Sequence, residues 1–226
     1  MTPLKHLTIL FTLSANLLIY SQNHLTGLGE TRLSIQNEID SKYNIKFEAR
    51  SRYNLYKNEV ITFENKQLDF IHFSTFNINS KNHIALGIQY RLREAIDGES
   101  DEFRLTQQYN YTKASKQLRF NHKLKLEQRF FKTLTIIRPR YLYGIDFPLK
   151  GEKLDIGESY LTTYTEALLS VSKKIKPTLD QRATALIGWL ISEKSKLQFG
   201  IEYRLDNYNI NRNEKLYMLT SCNIKV

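Results

Sequence analysis

From Lys42 to Tyr56 the chain alternates strictly: Tyr43, Ile45, Phe47, Ala49, Tyr53 and Leu55 share one face, and Lys42, Asn44, Lys46, Glu48, Arg50, Arg52 and Asn54 share the other. A period of two belongs to a β-strand and not to a helix. The pattern recurs. Ile84, Leu86, Ile88, Tyr90 and Leu92 alternate with Ala85, Gly87, Gln89, Arg91 and Arg93; Leu118, Phe120, Leu124, Leu126 and Phe130 alternate with Arg119, Asn121, Lys123, Lys125, Glu127 and Arg129; Leu197, Phe199, Ile201, Tyr203 and Leu205 alternate with Gln198, Gly200, Glu202 and Arg204. The same reading places strands at 30–39, 42–56, 66–79, 82–94, 102–113, 116–131, 133–147, 159–172, 179–191, 195–207 and 214–226. Most reach or exceed the roughly nine to eleven residues that a tilted strand needs to cross a bilayer.

Tight connections at Asp40-Ser41, Asn79 to Asn82 and Ser192 to Lys194 partly alternate with longer polar ones at Asn58 to Asn65, Ala95 to Asp101, Lys150 to Ser159 and Asn207 to Asn213. Short turns on one side and long loops on the other suit an up-and-down barrel. Single-chain bacterial barrels have even strand numbers. About twelve strands are therefore expected, with the Val60 to Phe63 run or the Gly27/Gly29 leader supplying the extra one; ten is the alternative, with one N-terminal candidate outside the wall. A soluble β-sandwich also strings short strands together, but the strands here are long and meander-like.

Ahead of the strands, Lys5 and His6 precede Leu7-Thr8-Ile9-Leu10-Phe11 and Leu17-Leu18-Ile19-Tyr20-Ser21. A basic start, an apolar stretch and a small residue predict a signal peptide over 1–21, cleaved between Ser21 and Gln22. Thr12, Ser14 and Asn16 interrupt a stretch already short for a membrane anchor. The domain plan is thus a signal peptide followed by a barrel over 22–226, and the expected compartment is the outer membrane of a Gram-negative cell. All-β antiparallel architecture in the wall of a membrane predicts the apolar face toward lipid and the ionic face inward, since Arg or Lys on the lipid face costs roughly 2 to 4 kcal/mol near the midplane.

Composition changes this picture little. The mean hydropathy of -0.45 resembles that of a soluble protein, but alternation hides a lipid face in every second residue. The formal net charge of +10 sits on scattered cations with no basic helix or zinc module, which argues against nucleic acid. Inside a barrel those cations need carboxylates or water. Glu48, Glu127, Glu166, Asp180 and Glu202 are the available partners and are outnumbered, so the lumen is expected to be cationic, either filled by a ladder of ion pairs or wet and narrow. Cys222 is the single cysteine and alternates with Met218, Thr220 and Ile224 on an apolar face.

Several short motifs carry a resemblance. Glu127-Gln128-Arg129-Phe130, Arg138-Pro139-Arg140-Tyr141, Pro148-Leu149-Lys150-Gly151, Glu166 and Asp180-Gln181-Arg182 resemble, in this order, the E-Q-R-F, R-x-R-Y, P-L-x-G, inward Glu and D-Q-N-R of a DUF2490-like family of uncharacterised Bacteroidota outer-membrane barrels. The chain departs from the pattern by lacking the Asn after Gln181 and by ending in Val226 instead of an aromatic residue that assembly machinery reads. The resemblance implies a fold and a compartment but no reaction; outer-membrane lipid and that machinery are the implied partners. Glu127, Arg129, Arg138, Arg140, Glu166, Asp180 and Arg182 all fall on the inward register and are expected to form a charge-paired network. A monomer is expected.

Enzymatic signals are sparse. His72 and Ser74 lie two apart on one strand face, the minimum for a barrel-wall lipid hydrolase, but no G-x-S-x-G elbow accompanies them. His24, His72, His83 and His122 have no metal-ligand spacing, and no phosphate-cradling glycine loop appears. No catalytic residue, metal or cofactor is assigned. An exported soluble β-barrel binding an apolar ligand is the remaining alternative.

Overall fold

The computed structural model describes residues 26–57, 59–115, 117–152 and 154–226. The expected signal peptide and its cleavage point lie outside the described residues, as does His24. Eleven strands form one closed barrel: β1 (Thr26–Glu38), β2 (Tyr43–Lys57), β3 (Val60–Asn77), β4 (Asn82–Leu92), β5 (Glu102–Ser115), β6 (Leu118–Phe130), β7 (Thr135–Pro148), β8 (Ser159–Ser170), β9 (Thr178–Ser192), β10 (Ser195–Asp206) and β11 (Asn213–Lys225), with a one-turn helix α1 (Glu94–Asp97) between β4 and β5. Each strand pairs antiparallel with its sequence neighbour.

The expected counts of twelve and ten are both corrected to eleven. With an odd number, the first and last strands run in the same direction, so the cylinder can close only through a parallel pair. That seam joins β1 to β11 from Thr26↔Lys215 to Gln36↔Lys225. Gly27 and Gly29 belong to β1 and are no separate leader. Val60 to Phe63 is not an extra strand but the start of β3, paired back onto β2 through Lys57↔Val60 and Tyr56↔Ile61. The supposed loop from Asn58 to Asn65 is therefore the tip of a long hairpin.

Local chemistry explains the tight turns. Asp40 Oδ1 accepts the backbone N–H of Lys42 and Tyr43 at 2.7 and 2.8 Å. Asn79 Oδ1 accepts those of Lys81 and Asn82, both at 2.9 Å. These are Asx turns, in which a short polar side chain stands in for a backbone acceptor. Connections after the odd-numbered strands share one end, called here the tight-turn end, with Val226; connections after the even-numbered strands share the other. The expected asymmetry holds only in part, because the long connection between β7 and β8 lies at the tight-turn end and the short ones between β2 and β3 and between β6 and β7 lie at the other.

The barrel is inverted relative to a water-soluble one. Leu86 is 65% exposed, Phe47 56%, Ile201 53% and Met218 62%, whereas Glu30, Asp69, Glu102, Arg104, Glu127, Arg129 and Arg204 are buried. Apolar residues inside are few; Leu28, Tyr217 and Leu219 cluster at the seam with Leu186 against them.

Candidate functional site

Inward positions recur every second residue, and most strands place two polar or ionic side chains there in an i, i+2 pair. Cross-strand register then sets carboxylates beside guanidiniums. Starting at β1, Glu30 Oε2 accepts Arg52 Nε of β2 at 2.6 Å. Arg50 bonds Glu48 at 2.5 Å and approaches Asp69 of β3 at 3.8 Å. Asp69 takes a two-pronged contact from Arg91 of β4, at 2.7 and 3.0 Å. Arg91 reaches Glu102 of β5 at 3.1 Å, and Glu102 also accepts both Arg104 and, through two bonds at 2.7 and 2.8 Å, Arg129 of β6.

The chain of pairs continues around the wall. Arg104 approaches Glu127 at 3.4 Å. Arg140 of β7 bonds Glu127 and Glu166 of β8, each at 2.5 Å. Arg182 of β9 lies 3.6 Å from Glu166 and within electrostatic reach of Glu202. Glu202 of β10 accepts Thr184 Oγ1 at 2.9 Å and pairs with Arg204. Arg204 returns to Glu30 at 4.0 Å and stacks 3.8 Å from the ring centroid of Tyr217 on β11. Each of β1 to β10 thus contributes to a belt of ion pairs, and β11 contributes an aromatic face that serves the cation where a carboxylate would otherwise be needed.

Of the seven residues expected to form the network, Glu127, Arg140, Glu166 and Arg182 are brought together directly. Arg129 is not bonded to its strand neighbour Glu127; it serves Glu102 and lies over Phe131 at 5.0 Å. Arg138 donates to Ser170 Oγ at 2.8 Å and meets Asp180 only at 4.0 Å. Sequence reasoning missed Glu30, Asp69 and Glu102 as members. Glu30 and Glu102 stand at strand starts, where an acidic residue reads as loop, and Asp69 sits among Leu68, Phe70 and Ile71. The usable signal was the inward spacing of Glu30 with Arg32, Gln67 with Asp69 and Glu102 with Arg104.

Burial differs along the axis. Asp69 and Glu102 side chains are 0% exposed, and Arg91, Arg104 and Arg129 are nearly so. At that level the cross-section is filled by side chains. Toward the tight-turn end a chamber of about 610 Å³ opens, bounded by the belt's Arg104 and Arg140 and, near the turns, by Asn44, Asn110 and Asp146. Two rings sit where glycine leaves room: Phe73, which lines the chamber, over Gly87, and the buried Tyr160 over Gly188, positions at which a Cβ would overlap the ring.

Outside the barrel, His72 Nε2 lies 3.1 Å from Ser74 Oγ, which also accepts the Tyr43 hydroxyl at 3.0 Å. His72 packs on Phe47 with ring centroids 4.6 Å apart, and its Nδ1 is buried without a hydrogen-bond partner. Its cross-strand neighbours, Phe47 and Ile88, are apolar. A hydrolytic triad needs a polar group on that nitrogen to orient the imidazole, and none is present among the described residues. His83 bonds Asn77, and His122 bonds the Tyr141 hydroxyl; no cluster of metal-ligating side chains occurs among the described residues.

A family model described as protein of unknown function (DUF2490) matches residues 31–215. No curated protein and no solved structure matches the chain.

Proposed function

The chain belongs to the DUF2490 family, and from that premise we propose that it is a monomeric barrel of the Gram-negative outer membrane, exported by a cleaved signal peptide over 1–21, with a cationic lumen that is filled at the belt and open as a blind chamber toward the tight-turn end. The observation that carries this reading is the inverted burial: paired carboxylates and guanidiniums turned inside a closed cylinder, with Phe47, Phe70, Leu86, Ile88, Leu124 and Ile201 turned out. Water would reward the opposite arrangement; hydrocarbon rewards this one. Aromatic residues near strand ends support it, with Tyr43 and Trp189 toward the tight turns and Tyr90, Phe103, Phe130 and Tyr203 toward the other end, the placement of interfacial girdles.

The cationic character is supported by the chamber lining, where twelve Arg and Lys side chains face six Asp and Glu. The filled belt favours a structural or solute-holding barrel over a conducting pore. The tight-turn end is assigned to the periplasm, as in barrels whose short turns lie there. Outer-membrane lipid and the assembly machinery are the partners this reading requires.

Two measurements test it. The mature chain is expected in the detergent-extracted outer-membrane fraction, with gel mobility that changes on boiling; recovery in the aqueous fraction would instead favour the soluble, apolar-ligand barrel. In planar bilayers the intact protein is expected to be silent, and a stable ohmic current would refute the filled belt. The contact between His72 and Ser74 is the one observation favouring a barrel-wall lipid hydrolase. That reading stands only if purified protein cleaves a phospholipid ester and Ser74→Ala abolishes the cleavage.

A further inference from the structure

Lys123 and Lys125 are inward neighbours on β6, and the register gives them no carboxylate to meet. Lys123 is flanked by Asn110 and Leu142, and Lys125 by Gln108 and Arg140. Both line the chamber, and neither has an ion pair within 4.0 Å or a hydrogen bond among the described residues. Across the lumen Lys123 has Lys46, Glu166, Arg140 and Arg32 within electrostatic reach and Lys125 has Glu166 and Glu127; those two carboxylates are already bonded to Arg140, and Lys46 and Arg32 share Glu48, at 3.1 and 3.4 Å. The Nε groups of Arg32 and Arg182, which also line the chamber, are buried without a hydrogen-bond partner. Donors without a hydrogen-bond partner thus line one chamber from β1, β6 and β9, although Arg32 Nε lies 3.4 Å from Glu48 and Arg182 lies 3.6 Å from Glu166.

Like charges set opposite one another in a sheet destabilise it, and unmet buried donors add their own cost. A folded chain retains such a group most readily where a ligand of opposite charge completes it. We propose that the chamber is a binding site for a small multivalent oxyanion of the phosphate or phosphomonoester class, held by the Lys123 and Lys125 ammonium groups with the Nε–H groups of Arg32 and Arg182. Two point charges and two planar guanidiniums match an anion that spreads two or more charges over several acceptor oxygens. A single halide cannot engage them all. The chamber's size falls within the range of small-ligand sites, so the oxyanion can carry an organic group.

This site deepens the proposed function but depends on it only for the compartment that supplies the ligand. Calorimetry on the refolded full-length mature chain at low salt, with pyrophosphate, inorganic phosphate, a hexose phosphate and chloride as probes, tests it. Saturable binding of the phosphate probes, at least tenfold weaker in the Lys123→Gln, Lys125→Gln double variant and retained in the Lys123→Arg, Lys125→Arg variant, is the expected result. Tighter binding of the hexose phosphate than of phosphate identifies an organic phosphomonoester as the ligand; the reverse identifies the free ion. Absence of saturable binding by every phosphate probe, equal binding by the Gln double variant, or chloride binding as tightly as pyrophosphate overturns the site. Boiling-dependent gel mobility, read on the same samples, reports separately whether the barrel itself has formed.

Discussion

At the level of Glu102, one carboxylate holds the guanidiniums of Arg91, Arg104 and Arg129 and is fully withdrawn from solvent; farther along β6 toward the tight turns, Lys123 and Lys125 line open space, and neither is opposed across the strand by a carboxylate. Both levels use the same wall, the same strand period and the same surplus of cations. They differ in which residue type stands across the strand. Where acid opposes Arg, planar forks interlock, water is expelled and the section fills. Where Asn, Gln, Leu or another cation opposes Lys, the section stays open and charged. Buried charge is tied into ion pairs at one level and left without a pairing carboxylate at the other, where the oxyanion site is proposed.

Breaking the belt should have the largest effect. Glu102→Gln keeps the volume but leaves Arg129 with no carboxylate among the described residues and takes one from Arg91 and Arg104, which keep Asp69 and Glu127, and removing one partner of a buried ion pair costs about 3–5 kcal/mol. Urea unfolding of the refolded protein, followed by loss of heat-modifiable mobility, should show that loss, and planar bilayers should register leak currents absent from the native chain. A shift within error would mean that the belt contributes little to holding the wall.

Crowding the barrel interior comes next. In Gly188→Leu the new side chain must displace the Tyr160 ring, and overpacking of this kind costs about 1–3 kcal/mol. Smaller still, and of opposite sign, is the outcome for Lys123→Gln with Lys125→Gln: relief of like-charge opposition should leave stability unchanged or raise it by about 0.2–1 kcal/mol. A belt lysine-to-glutamine analogue such as Arg140→Gln should instead destabilise, so the two substitutions separate the two levels in one urea series.

The smallest effect belongs to the loop that carries α1. The backbone N–H groups of Arg93 and Glu94 donate to Asp101 Oδ1 at 2.7 and 2.9 Å, and the Tyr90 hydroxyl donates to its other oxygen at 2.8 Å. These bonds, the one from Arg93 foremost, hold the Asp101 carboxyl below the usual carboxylate range. A depressed folded pKa means that the contribution is present above the unfolded value of about 3.9 and disappears as pH falls through the lower folded value. Amide exchange at Arg93 and Glu94 should therefore accelerate only in strongly acidic buffer, and in Asp101→Asn that acid step should vanish.

How much of this was legible beforehand depends on the range of the interaction. Face assignment in β2, β4, β6 and β10 could be read from alternation alone, because pleating turns sequence parity directly into inside and outside. The inward register of Glu127, Arg140, Glu166 and Arg182 could be read for the same reason. Their partners could not. Arg129 falls on the inward register, but its partner is Glu102, 27 residues away on the neighbouring strand. Val60 to Phe63 looked like a short separate strand because Asn58, Glu59 and the polar residues after it resemble a loop; pairing with Tyr56 and Lys57 is what makes it the arm of a hairpin.

Local alternation by itself therefore determined that this protein is a wall of long two-faced strands, oily on one side and ionic on the other, since each residue's face depends only on its neighbours in the chain. Closure decided the rest. The number eleven, the parallel seam between β1 and β11, the ring of pairs and the chamber all depend on which strand lies beside which and at what stagger, and those distances exist only once the sheet has curled and met its own edge.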